Sequence, residues 1–337
     1  MGQFVPEVLC RFDDLATSVV VDAVLKFQSH KMNLNHQPLD PADWKSIRSV
    51  LREFRDLLKW LDPTKDAERI NQVYKETFDN LLHLRAPFRN TLSFTDDKKI
   101  RLREHFFRFM KFWDPNSGFT IRECSRYSRE GNRGAALFAT RAFKKGETIE
   151  GLKGCLAPMT DAEENAIVVV GKNDYSILIR FERRNGCKST LWLGPAAFIN
   201  HDCKPNCDLI HRTNKSWIEA TRDIRPNEEL LMHYGKDCWG INCIECECRT
   251  CELGGNGAFT NAATCAPKPQ SIPNLRNFKK RRSQEEKFPI LSILFISHLK
   301  KSKRNQLNSP TTASKKENRH LIAQKPQKGD KFFKTLL

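Results

Sequence analysis

The sequence predicts an α+β protein in which a helical N-terminal part packs on a β-rich domain and a basic tail follows. Three observations carry this. Apolar residues recur at three- and four-residue steps as far as residue 115, which is the helical period. From Phe119 the period shortens, and brief apolar runs alternate with Gly, Asn, Asp and Pro. After Gly257 the composition turns to Lys, Asn, Pro and Ser, which cannot build a core.

In the helical part, Trp44, Ile47, Leu51, Phe54, Leu58 and Leu61 lie on one face, with Asp40–Pro41 ahead as a start signal. Ile70, Val73, Tyr74, Phe78, Leu81 and Leu82 form a second face before Pro87 ends the run. The third stretch, Asp97–Trp113, carries Ile100, Phe106, Phe107 and Met110 and stops at Asp114–Pro115. The expected strands are Phe119–Arg122, Ala135–Ala139, Glu147–Leu152, Ile167–Val170, Tyr175–Phe181, Thr190–Leu193, Ser216–Ala220 and Glu229–His233. No helix of crossover length separates them, so a doubly wound sheet is excluded. There is no internal repeat.

The net charge of +17 is concentrated at one end. From Ala258 onward there are 18 Lys and Arg against 4 Asp and Glu, which is +14 and leaves +3 for residues 1–257. Such a tail suits acidic partners, including non-specific contact with DNA, and equally reads as a solvated disordered segment. Lys279-Lys-Arg-Arg282 has the composition of a nuclear import patch. Met1–Arg11 lacks the charged start and apolar run of a signal peptide. Val19–Leu25 and Phe288–Leu299 are both too short to span a bilayer, so no membrane association is expected.

Of 12 cysteines, seven crowd into Cys203–Cys251. In a reducing compartment clustered thiols favour zinc over disulfides. Cys246-Glu-Cys248-Arg-Thr-Cys251 puts three sulfurs on one tight loop, and a tetrahedral ion needs a fourth. Cys243, Cys238, Cys203 and Cys207 are the local choices, with Cys243 nearest by spacing. A four-sulfur site leaves no open position and is structural.

Two further segments complete a pattern. Phe198-Ile-Asn-His-Asp-Cys-Lys-Pro-Asn-Cys207 is followed by Pro226-Asn-Glu-Glu-Leu-Leu-Met-His-Tyr-Gly235 and then by the clustered thiols. In that order they resemble the SET domain of protein lysine methyltransferases with its post-SET zinc loop. Leu191-Trp-Leu-Gly-Pro-Ala-Ala-Phe-Ile-Asn-His-Asp-Cys203 is similar to the Suv4-20 branch, the histone H4 lysine 20 methyltransferases. So are Asp13-Asp-Leu-Ala-Thr-Ser18, Phe27-Gln-Ser-His-Lys-Met-Asn33, Ser125-Arg-Tyr-Ser128, Glu163-Glu-Asn165 and Gly257-Ala-Phe259. The resemblance covers residues 10–260 and leaves the tail unmatched.

The resemblance implies a layout: an N-terminal helical domain over 1–115, a SET domain over 116–236 whose two motifs cross as a pseudoknot, a post-SET zinc segment over 237–260, and a disordered tail over 261–337. It implies S-adenosyl-L-methionine as cofactor, contacted by Tyr127, Ser128, Arg129, Glu130, Ala135, Asn200 and His201. It names Cys203, in place of Cys243, as the fourth ligand with Cys246, Cys248 and Cys251 to one structural zinc ion. Tyr234 is the expected catalytic residue, and Ser176 and Trp192 are expected to shape the lysine pocket. The implied substrate is the histone H4 tail in nucleosomes, the implied product di- and trimethylated lysine 20, and the implied setting repressed chromatin in the nucleus. Two positions depart from the branch: Val24 stands where an aromatic is expected, and Arg133 adds one residue to the cofactor loop. The competing readings are a catalytically silent zinc-bearing chromatin module and a methyltransferase of a non-histone protein.

Overall fold

The computed structural model describes residues 4–29, 32, 39–40, 42–84, 87–91, 93–126, 133–169, 177–183, 186–212, 215–235, 243–260 and 291–295. They belong to one compact unit, Met1–Lys300.

Helix α1, Pro6–Ala16, starts with proline at its first position, where a missing N–H costs nothing. It runs through a π-helical turn, Thr17–Val21, into α2, Asp22–Leu25. Two acidic residues of this stretch, Asp14 within α1 and Asp22 at the start of α2, hold the segment after it. Asp22 accepts from the Ser29 amide and hydroxyl at 2.9 and 2.7 Å, and Asp14 accepts from the Met32 amide. Helices α3, Asp43–Leu58, and α4, Ala67–His83, pack together on the two faces their periodicity marks. Trp44, Ile47, Leu51, Phe54 and Leu58 are all buried. Helix α5, Asp96–Met110, is capped by Thr95, whose hydroxyl accepts from the Lys98 amide. Its buried face is Leu102, His105, Phe106, Phe109 and Met110, so Ile100 points outward, contrary to expectation. A buried histidine replaces an apolar residue on that face and hides its register. Beyond α5, Tyr74 donates to Asp114 at 2.7 Å, and the Trp113 indole donates to the Val20 carbonyl at 3.2 Å.

Strand β1, Phe119–Cys124, pairs antiparallel with β2, Gly134–Ala139. Strand β3, Cys155–Met159, is an edge strand, which is where its Pro158 is tolerated. Helix α6, Asp161–Ile167, follows it behind a complete capping box from Thr160 and Glu163. The expected strand Ile167–Val170 is therefore corrected: the capping box starts a helix that ends at Ile167. Glu147–Leu152 likewise makes only one bridge, Thr148 to Glu219, before turning.

Strands β4, Ile177–Arg183, and β5, Gly186–Leu193, form a hairpin, and the sheet order is completed by β3 beside β5. Helices α1 and α6 cover this sheet through Leu9, Cys10, Cys155, Ala157, Ile167, Leu191 and Leu193. Strand β6, Asn200–His201, runs parallel to β9, Leu231–Met232, and the hairpin β7, Cys207–Arg212, with β8, Lys215–Ala220, lies between them in sequence. Helix α7, Arg249–Gly254, follows the thiol cluster. In the tail, Leu291–Phe295 forms β10 and pairs antiparallel with β4. Five residues, four of them apolar, are long enough to close a sheet edge that would otherwise carry unpaired amides. The rest of 261–337 lies outside the described residues.

A single apolar cluster joins Phe12, Phe54 and Phe106 of the helices to Phe119, Ile218 and Met232 of the strands. Among the described residues no helix is long and apolar enough to cross a membrane.

Candidate active site and thiol cluster

The segments 200–206 and 229–234 meet through backbone and side chains together. Beside the β6–β9 pairing, the Asp202 amide donates to the Met232 carbonyl at 2.9 Å. Asn206, fully buried, donates from its side chain to the Glu229 carbonyl at 2.7 Å and accepts from the Leu231 amide at 2.8 Å. Asn200 Nδ2 reaches the Ala135 carbonyl at 3.0 Å and Glu229 Oε1 at 3.2 Å. Burial raises the Glu229 carboxyl, and the Asn200 hydrogen bond opposes that rise.

Tyr234 follows β9. Its hydroxyl donates to the Ile199 carbonyl at 2.6 Å, and its amide donates to His201 Nδ1 at 3.1 Å. Burial, with His233 facing it, lowers the His201 pKa to about 4, so the ring is neutral at neutral pH. A neutral ring that accepts at Nδ1 carries its proton on Nε2. That nitrogen sits 3.4 Å from Cys203 Sγ, in position to donate to the sulfur.

Four sulfurs converge beside it. Cys203 Sγ lies 3.6 Å from Cys251 Sγ and 4.0 Å from Cys246 Sγ. Ligand atoms of His201, Cys203, Cys246 and Cys248 all fall within 4.8 Å of one another. Four sulfurs at about 2.3 Å from a tetrahedral ion stand about 3.8 Å apart, so the cluster fits zinc. Cys251, 3.6 Å from Cys203, and the His201 ring nitrogen both lie within reach as a fourth donor beside Cys203, Cys246 and Cys248. A hydrogen bond from Cys246 and the Cys251 amide hold the Cys248 pKa down to about 5, whereas burial raises Cys203 and Cys251. An ion would displace the remaining protons.

Asp202 ties the cluster to the crossing, and the sequence did not single it out. It is 3 % exposed and accepts from the Thr250 hydroxyl at 2.5 Å and the Thr250 amide at 3.2 Å. Its only signal was its place inside Asn-His-x-Cys. Gly257, at φ +59, lets the chain pass against the Cys243 and Cys246 carbonyls, where a side chain would collide. Cys243 itself lends its carbonyl to the Cys246 amide at 3.0 Å.

Trp192 lies fully buried on β5, opposite Leu156 on one side and Ile177 on the other. Its indole N–H has no partner among the described residues and packs against Gly154, where any Cβ would collide with it. Tyr127, Ser128, Arg129, Glu130 and Ser176 lie outside the described residues. Ala135, Asn200 and His201 are thus brought together, as are Cys203, Cys246, Cys248 and Cys251.

Residues 134–235 match the family model described as SET domain. The histone-lysine N-methyltransferase Suv4-20 of Caenorhabditis elegans is 37 % identical over 255 residues, which is 76 % of this chain and 83 % of that protein. The chain belongs to the Suv4-20 family of SET-domain histone-lysine methyltransferases. The Suv4-20 protein of Caenorhabditis briggsae is also 37 % identical, over 76 % of this chain and 74 % of its own. The histone-lysine N-methyltransferase set9 of Schizosaccharomyces pombe is 30 % identical over 75 % of this chain and 54 % of its own. Membership makes this Suv4-20-type chain an S-adenosylmethionine-dependent lysine methyltransferase.

Proposed function

We propose that this chain methylates lysine 20 of histone H4 in nucleosomes to the di- and trimethyl states and acts in chromatin repression in the nucleus. The observation that carries the reading is the placement of Tyr234 against Ile199 and His201 at the crossing of two motifs, beside four convergent sulfurs, in a chain of this family.

When bound, S-adenosylmethionine supplies an electrophilic methyl group. Ala135, Asn200 and His201, with Tyr127–Glu130, would hold it. A lysine amine arrives protonated, at a reference pKa of about 10.4, and must lose that proton to attack. An apolar channel beside Trp192, with Ser176 expected to contribute, would favour the neutral amine by desolvation. The Tyr234 hydroxyl is fixed by its hydrogen bond to Ile199, so its oxygen can orient the amine for in-line attack at no cost in freedom at that moment. Pocket volume beside Trp192 then sets how many methyl groups fit. The zinc site, held by Cys203, Cys246, Cys248 and Cys251, would fasten residues 246–251 to the Asn200–Cys203 segment and take no part in the chemistry.

The test is incubation with nucleosomes and isotopically labelled S-adenosylmethionine, followed by peptide mapping. Label on H4 lysine 20, in the di- and trimethyl forms, is expected. Label confined to another histone residue or to a non-histone protein would overturn the substrate. Absence of cofactor binding by calorimetry would leave the silent chromatin module instead.

A further inference from the structure

Helix α3 segregates its charges by sign in a way no other long helix here does. Lys45, Arg48, Arg52, Arg55 and Lys59 recur at spacings of three and four. At 3.6 residues per turn these five fall within an arc of about 80°, next to the buried Trp44–Ile47–Leu51–Phe54–Leu58 face. No acidic position lies inside that arc. Asp56 stands at its border and pairs with Lys59 at 2.8 Å and Arg55 at 3.4 Å. Lys45, Arg48 and Arg52 have no acidic partner among the described residues. On α4, by contrast, Arg69 is paired with Glu76 at 3.2 Å, and on α5 Lys99 and Arg101 pair with Asp96 and Asp97. Mixed signs are the ordinary pattern of a solvated helix face. Trp60, just past the last cation, is 87 % exposed, although a ring this large is normally covered.

The row of cations has the length and spacing of a phosphate track. Lys45 to Lys59 spans about 21 Å at a rise of about 1.5 Å per residue. One DNA strand carries a phosphate about every 3.4 Å of axis, hence about six over that length. Five cations facing six phosphates, with Arg forks that match phosphate oxygens, describe a backbone contact without base reading. The arc itself holds only cations, and the exposed apolar side chains nearby, Leu57 and Trp60, lie outside it, so charge complementarity to a phosphate backbone is its main offer.

We propose that the basic face of α3, Lys45–Arg48–Arg52–Arg55–Lys59, is a binding surface for the DNA phosphate backbone, separate from the basic tail. The inference rests on the nucleosomal reading only for the source of that DNA. A DNA titration needs no methyl transfer, so failure of one is distinguishable from failure of the other.

The experiment uses the full chain and a fluorescein-labelled duplex in anisotropy titrations across a salt series. The tail contributes equally to wild type and variants, so the difference in salt slope isolates the helix. K45Q/R48Q/R52Q should flatten the log–log slope by about 2.7, three contacts at about 0.9 each. It should raise KM for nucleosomes while leaving methylation of a free H4 peptide at the wild-type rate. K45R/R48K/R52K, which keeps every charge, should keep the wild-type slope. If the triple glutamine variant does not fold, R52Q alone at its exposed position should flatten the slope by about 0.9. An unchanged slope in a folded variant would overturn the proposal. So would an unchanged DNA slope accompanied by lost binding to histone octamer, which would assign the face to protein.

Discussion

Asp13 and His105 stand 92 residues apart in the chain and meet at 3.0 Å with the imidazole fully buried. The other ring nitrogen faces Cys155 Sγ at 3.5 Å, and the ring leans on Phe109 at 5.3 Å. One side chain thus joins α1, α5 and the edge strand β3. Burial alone would lower the histidine, but the hydrogen bonds to Asp13 and Cys155 outweigh it and raise the pKa to about 9. A histidine raised above its unfolded value of about 6.5 contributes stability fully below that pH and loses it as pH rises through about 9.

The stability of the wild-type protein should therefore fall between pH 6.5 and 9 by an amount on the order of 3 kcal/mol. Urea unfolding midpoints at several pH values measure this. His105→Gln should be less stable at pH 6 and show a flatter pH dependence over that window. A variant with the wild-type slope would show that this ring does not titrate with folding.

Metal removal should undo more than the thiol loop. Zinc content of one ion per chain is expected, and Cys203→Ser should lower it and release residues 246–251 to proteolysis. Chelation should abolish cofactor-dependent methylation together with local order, because Asp202 and Thr250 link the cluster to the β6–β9 crossing. A metal-free protein with full activity would contradict the four-sulfur assignment.

Tyr234→Phe removes only the hydroxyl that Ile199 holds. The turnover rate should drop by about 100-fold or more, with cofactor affinity by calorimetry changed by less than about threefold. Equal losses in binding and turnover would mean that the tyrosine supports the pocket and does not position the amine.

Arg133, the added residue of the cofactor loop, makes two hydrogen bonds of 2.8 Å to Glu123, and its guanidinium lies 4.1 Å from the centre of the Phe27 ring. It connects β1 with the segment after α2. Arg133→Ala should raise the KM for S-adenosylmethionine about threefold with little change in kcat, and Arg133→Lys, which keeps charge but loses the fork, should recover only part of that. No change in KM would separate this contact from the cofactor loop.

Much of this was written in side-chain pattern. The α3 face was readable because five apolar residues repeat at the helical period and nothing polar interrupts them. The α5 register was not, because His105 occupies a core position whose partner is 92 residues away. Helix α6 was legible in principle through Thr160 and Glu163, but the apolar end at Ile167–Val170 outweighed the cap. Strand β10 hid in a segment whose composition is basic on both sides. At the candidate site, the Asn200, Cys203 and Tyr234 motifs were plain. The Ile199 carbonyl that holds Tyr234 was invisible, because a backbone acceptor leaves no trace in residue type.

The sulfur donors of the cluster are 43 to 48 residues from Cys203. A chain emerging from the ribosome presents Asn200–Cys203 first and Cys251 only after the whole β7–β8 hairpin has been made. At synthesis rates of about 5–20 residues per second, the unmatched thiol waits some seconds for its companions. On the four-sulfur site proposed above, the last donor to arrive is Cys251, so a chain cut short before that codon should bind no ion at this site and be inactive.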